Sequence, residues 1–340
     1  MILNFMIFLK NIIIFSIVLL FVCGGLLING IVSIMPDGFM LNQTETTEII
    51  KSLSPTPTRQ VTSTPLPVPT QKPDPFSIEA LKTRSYGEGE FTVDRLWYTY
   101  ERFDRYYVIY DSDGLSIHGY VNIPKGEGPF PVIFMLHGYI SPDEYDTLDY
   151  TVRYTDDLAR NGYIVLHPNM RNFPPSDSVE RRRDSNTGYT IDVLNMLAYF
   201  KEMAGEEGIF ATADVERIGI WGHSIGGSIA LRTMSAAPDV FNAAVLYSAV
   251  SQRYGTILDS PGIYDLSEVE IPFSIHHGES DEVISVAQSQ QLCLQLKQIG
   301  KDTDCYFYEG QPHTLYRDQT ADPLFMDRVL AFFDEYVKRE

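Results

Sequence analysis

The feature that most constrains this chain is an alternation of short apolar runs with helix-like stretches, running from residue 132 almost to the C-terminal end. Residues 132–136 form an unbroken apolar run that ends at His137-Gly138. Residues 150–160 read as a helix stopped by Asn161-Gly162, and residues 164–166 as the strand that follows. Residues 189–203 carry Ile191, Leu194, Leu197 and Ala198 at helical spacing. The pattern then gives strand 217–221, helix Ile225–Ala236, strand Ala243–Tyr247, strand 273–275, helix 286–299, strand 304–308 and helix 323–338. Upstream, residues 106–111 and 116–123 flank the turn signal DSDG, a hairpin pattern. Strands and helices alternating in this way predict an α/β fold, a mostly parallel sheet of eight strands with helices on both faces. In such sheets ligands bind beyond the carboxyl ends of the strands, so the chemistry is sought there.

The chain of 340 residues ends its N-terminal apolar segment before that pattern starts. From Asn11 to Met35 there is no charged side chain, and a run of that length can span a bilayer core of roughly 20 helical residues. Only the amino terminus and Lys10 precede it, a thin positive-inside bias that leaves the rest outside the cytoplasm. No small-x-small cleavage site is visible, and Cys23 lacks a small residue before it, so residues 1–35 are expected to be an uncleaved anchor. The alternative is a cleaved signal and a secreted protein. Residues 36–75, with SPTPTRQVTSTPLPVPTQKPDP, are too poor in apolar side chains to fold and read as a disordered, extended linker. Residues 76–340 form the expected catalytic domain.

A hydrophobic share of 44% suffices for a large core, and a net charge of −19 argues against a nucleic-acid partner. No feature of the sequence sets an oligomeric state. Cys293 falls near a helix end and Cys305 just inside the next strand, at heights that allow a disulfide in an oxidising compartment without demanding one.

Gly222-His223-Ser224-Ile225-Gly226 sits between a predicted strand and a predicted helix. The bare G-x-S-x-G pattern is weak, but a nucleophile elbow requires that strand–turn–helix context and small residues in the strained turn. A serine needs a base to take its proton. Of the seven histidines, His313 alone lies beyond the later strands, in GQPHTL, which fits a base that follows the nucleophile in chain order. An acid between them must come from HHGESDEVIS, which offers Glu279, Asp281 and Glu282. Two backbone donors are needed for a tetrahedral oxyanion. The N–H of Ile225 is expected as one, and the N–H of Tyr139, after strand 132–136, as the other.

These segments resemble the α/β-hydrolase catalytic domain of the prolyl oligopeptidase family and, more loosely, dienelactone-hydrolase-like esterases. The resemblance rests on DSDGLSIHGYVNIP, PVIFMLHGY, RIGIWGHSIGG, PDVFNAAVLYSAVS, HHGESDEVISVAQSQQLCLQLKQIG and GQPHTL. It implies serine peptidase or esterase chemistry with no metal or organic cofactor, and it aligns Asp281 as the acid, with Glu279 the alternative. The implied substrates are short peptides or acylated amino acids, with a carboxylesterase as the second reading. Only about thirty residues separate the linker from the first hairpin, too few for the β-propeller usual in that peptidase family. A catalytically silent binding domain on a stalk is the non-enzyme alternative, opposed by the intact Ser, Asp and His. Arg181-Arg182-Arg183 reads as a solvated loop rather than a carboxylate clamp, and Tyr139, Tyr145 and Trp221 as pocket or core aromatics. Residues 249–270, the expected lid, are short and not strongly amphipathic, which argues against a lipase acting on the membrane itself.

Overall fold

A computed structural model describes residues 75–180, 182–251, 264–315 and 318–339. Its elements in chain order are α1 (Ile78–Thr83), β1 (Phe91–Thr99), β2 (Phe103–Ser112), β3 (Leu115–Pro124), β4 (Phe130–Leu136), α2 (Val152–Arg160), β5 (Ile164–Pro168), α3 (Arg182–Met203), β6 (Ala213–His223), α4 (Ile225–Ala236), β7 (Ala243–Tyr247), β8 (Phe273–Gly278), α5 (Val286–Gln298), β9 (Thr303–Tyr308) and α6 (Ala321–Tyr336).

Among the described residues the strands form one nine-stranded sheet in the order β1-β2-β3-β5-β4-β6-β7-β8-β9. The first three join antiparallel, β3 pairs antiparallel with β5, and every neighbour from β5 to β9 is parallel. β5, β7 and β8 are buried along their whole length, and β7 accordingly reads as a continuous apolar run rather than an alternating one. Two cores result. Side chains of α3, α4 and α5 fill one face of the sheet, and those of α2 and α6 fill the other.

The expected eight strands become nine because β1 gives little signal. It is an edge strand, mostly exposed, with Asp94-Arg95 in its middle and register shifts at Val93/Arg95 and Leu96/Tyr98. Charges and bulges are how an edge avoids further pairing, and both erase the period of two that marks a strand. The hairpin β2–β3 closes through Asp113 and Gly114, both at positive φ, as DSDG predicts. Helix α3 starts at Arg182, seven residues before the expected start, so Arg182 and Arg183 belong to a helix and not to a loop. Its first turns, RRDSNTG, carry no apolar stripe, and Gly188 within them has low helix propensity. Gly188 is needed there because a Cβ would meet the Arg171 side chain at 2.6 Å, and Arg171 is locked in a buried ion pair with Asp192 at 2.7 Å.

Cys293 and Cys305 form a disulfide that joins α5 to β9, with Cα atoms 6.4 Å apart. Among the described residues no helix is long and apolar enough to cross a membrane. The expected anchor, the linker up to residue 74, Arg181 and most of the expected lid lie outside the described residues.

Candidate active site

The parallel strands end on one edge of the sheet, and the chemistry-bearing residues gather there. β6 ends at His223, the next residue is Ser224, and α4 begins at Ile225. Ser224 has φ 55° and ψ −119°, a conformation that L-residues rarely adopt. It is held from both sides, with its N–H donating to the Tyr247 carbonyl at 3.0 Å and its carbonyl accepting from Gly227 and Val250, each at 3.0 Å. The glycines are compelled by contact. A Cβ on Gly222 would lie 2.3 Å from the Gly226 oxygen, and one on Gly226 would lie 2.2 Å from the Leu136 oxygen. The turn is therefore too tight for any side chain at either position.

His313 lies in the loop after β9. Its Nδ1–H donates to Asp281 Oδ2 at 2.7 Å, and the Asp281 carboxylate is fully buried. Asp281 follows β8 and is saturated with donors. Oδ1 accepts the N–H groups of Val283 and Ile284, each at 2.8 Å, and Oδ2 accepts from His313 and also from His277 Nε2 at 2.9 Å. Burial alone would push its pKa up. The hydrogen bonds from His277, His313 and the Ile284 N–H outweigh that and hold it well below the usual carboxylate range. Glu279, by contrast, is exposed. The His313 ring stands 4.9 Å from that of His223, which places it beside the elbow. Among the described residues the Ser224 hydroxyl makes no hydrogen bond, so the formed link is the one between His313 and Asp281.

Gly138 closes the other side. A Cβ there would be 3.1 Å from the Ser224 Cβ, so the 137–139 loop lies directly against the elbow. His137 anchors this loop, with its ring nitrogens 2.7 Å and 2.8 Å from the carbonyls of Gly138 and Asn169. The N–H groups of Ile225 and Tyr139 have no acceptor among the described residues. All five residues expected from the sequence thus lie at this one edge of the sheet.

The aromatic residues divide. Trp221 is fully buried and packs on Tyr154 and Phe325 in the core. Tyr139 is 64% exposed and edges against Phe173, which also meets Tyr145. Two residues of the site escaped the sequence. His277 donates to Asp281 from four positions upstream, and the pair HH before Gly278 gave no ground for choosing it over His276, a core histidine bound to Tyr308. Tyr150 meets His223 across 73 residues of chain, and no local pattern announces that contact.

The sheet order, the turn at Ser224 and the convergent loops define an α/β-hydrolase. The family described as dienelactone hydrolase matches residues 117–337, well over half of the sequence, and the chain belongs to that family of hydrolases. An uncharacterized peptidase, YuxL, of Bacillus subtilis is 25% identical over 259 residues, which cover 66% of this chain and 38% of the relative. Among solved structures, the acylaminoacyl peptidase of Pyrococcus horikoshii superposes with a TM-score of 0.56 at 20% identity, covering 71% of this chain and 43% of that one. Acetyl xylan esterase 1 of Thermoanaerobacterium sp. gives 0.54 at 16% identity, covering 76% and 93%. The chain spans about two-fifths of the length of these two peptidases, and these structural likenesses bear on the fold alone.

Proposed function

We propose that this protein is a serine hydrolase that works through an acyl-enzyme, with Ser224 as nucleophile, His313 as base and Asp281 as the acid that orients it. The observation that carries this reading is the buried His313–Asp281 bond set beside a serine held at positive φ between a strand and a helix. His313, whose Nδ1–H donates a hydrogen bond to Asp281, presents Nε2 as the acceptor for the Ser224 proton. Attack on a carbonyl carbon places negative charge on its oxygen, which the N–H groups of Ile225 and Tyr139 receive. Collapse expels an alcohol or amine protonated by His313, and water releases the acyl group by the same steps in reverse roles.

The substrates proposed first are short peptides or acylated amino acids, supported by the peptidase resemblance of the six motif segments. A carboxylesterase is the second reading, favoured by the match to the dienelactone hydrolase family. The full-length protein, offered p-nitrophenyl acetate beside aminoacyl and acyl-peptide p-nitroanilides, separates the two. Amide turnover within about tenfold of ester turnover is expected for the peptidase. Ester cleavage with the amides untouched would assign the carboxylesterase, and a folded protein that neither turns over nor labels with a fluorophosphonate would sink both.

We also propose that residues 1–35 hold the domain at the outer face of a membrane. The apolar run supports this, and so does the disulfide, since such bonds persist in oxidising compartments. The full-length protein should sediment with membranes and be released by detergent but not by high salt. Release by salt alone would refute an embedded anchor.

A further inference from the structure

The x position of the G-x-S-x-G turn is a histidine, and the mechanism proposed above gives it no role. His223 is buried, with one ring nitrogen on each of two different loops. Its Nδ1 lies 2.5 Å from the Tyr150 hydroxyl, and its Nε2 lies 3.3 Å from the His313 carbonyl oxygen. The Tyr150 hydroxyl lies in turn 2.8 Å from the Gly138 N–H. We infer that Tyr150 and His223 are positioning residues that tie the loop bearing Tyr139 to the loop bearing His313, passing directly beneath Ser224. This inference rests on the serine-hydrolase reading and adds to it the means by which the base and the oxyanion donors are kept in register.

The ends of the chain of hydrogen bonds fix its direction. A backbone N–H only donates, so the Tyr150 oxygen accepts from Gly138. A carbonyl only accepts, so His223 Nε2 carries the proton that faces His313. A neutral imidazole has one N–H, which leaves Nδ1 as acceptor for the Tyr150 proton. Gly138 N–H to Tyr150, Tyr150 O–H to His223, and His223 N–H to the His313 carbonyl is then the arrangement that satisfies every member. Burial, with His313 close by, lowers the pKa of His223 to about 3, so the ring stays neutral while His313 gains and loses its proton.

Space at the junction is reserved for this contact. A Cβ on Gly138 would lie 2.8 Å from the Tyr150 oxygen and 2.9 Å from His223 Nδ1. The residue next to Gly138 is Tyr139, whose N–H is the proposed oxyanion donor, and the residue that receives the far end is the base itself. The segments joined are 12, 73 and 90 residues apart along the chain. A shift of either loop by a fraction of an ångström would misalign the donor or the base, and misplacement of about 1 Å can cost on the order of 100-fold in rate.

The test uses the full-length protein with p-nitrophenyl acetate, and Ser224→Ala as the reference for the reading beneath it. Tyr150→Phe keeps the ring and removes only the hydroxyl. It is expected to lower kcat by about 10- to 100-fold with KM changed less than about threefold, and to lower the melting temperature by only a few degrees, since Gly138 N–H and His223 Nδ1 lose one partner. His223→Leu should fall by a similar factor, while His223→Gln, whose amide N–H can still reach the His313 carbonyl, should recover part of the loss. If the two residues act as one unit, Tyr150→Phe/His223→Leu will be no slower than the slower single variant. Losses that multiply in the double variant, or Tyr150→Phe with wild-type kcat while Ser224→Ala is inactive, would overturn the inference and leave the serine-hydrolase reading standing. Activity retained in Ser224→Ala would overturn that reading itself. Should Tyr150→Phe melt early, the comparison of His223→Gln with His223→Leu decides: equal losses in both refute the positioning role.

Discussion

Ser224→Ala is expected to lower kcat for p-nitrophenyl acetate by about 10,000-fold or more and to abolish fluorophosphonate labelling, because the proposed acyl-enzyme forms on the hydroxyl oxygen it removes. The protein should remain folded. The Ser224 hydroxyl makes no hydrogen bond among the described residues, so its removal strands no partner, and the backbone bonds to Tyr247, Gly227 and Val250 are untouched. The backbone strain at φ 55° persists in Ala. Ser224→Gly relieves it, since glycine enters that region freely, and strain of this kind costs on the order of 1 kcal/mol. The glycine variant should therefore be equally inactive but melt about 2–4 °C above wild type. That pairing of lost activity with gained stability would mark a residue whose conformation serves chemistry. Turnover retained in either variant would remove Ser224 as nucleophile, and a lower melting temperature in Ser224→Gly would show that the turn is not strained.

Much of this arrangement is written locally in the sequence. The central strands β4 and β7 are legible because burial on both faces favours unbroken apolar runs, and the elbow because its backbone contacts demand glycine at 222 and 226. His313 is legible by chain order. What escaped depends on contacts between distant segments. β1 hides because an edge strand answers to solvent and carries charges where a central strand carries valines. The start of α3 hides because its polar first turns take their helical state from tertiary context that no local pattern records. Tyr150 and His277 hide for a third reason. A tyrosine before a helix and a histidine at a strand end are ordinary residues, and only the meeting of three loops gives their polar atoms a task. On residue type alone Glu279, Asp281 and Glu282 were all open as the acid, and the structure separates Asp281 from the two exposed glutamates by burial and by donors.

Asp281→Asn should reduce kcat by about 10,000-fold while Glu279→Gln stays within about twofold of wild type. A carboxylate offers about four lone-pair sites, and here four N–H groups occupy them: two from the backbone at Val283 and Ile284, one from His277 and one from His313. An amide can keep the two backbone donors on its oxygen. Its NH2 group then faces the two imidazoles as a donor. His277 keeps an acceptor for its Nε2 proton in the Ile284 carbonyl at 2.9 Å, but His313 has only the lost carboxylate. His313 must turn its Nδ1 into an acceptor and move its proton to Nε2, the nitrogen that should receive the proton of Ser224. The base is thereby blocked with its position nearly unchanged, so kcat falls and KM hardly moves. Stability follows the same carboxylate. Its folded pKa lies below the unfolded value of about 3.9, so it stabilises the fold above that pH and ceases to do so as pH falls through the folded value. The difference in unfolding free energy between wild type and Asp281→Asn should stay constant from neutral pH to about pH 5 and shrink only below about pH 4. A difference that already declines between pH 7 and 5 would mean that Asp281 titrates high and is not the orienting anion, and an active Asp281→Asn beside an inactive Glu279→Gln would move that role to Glu279.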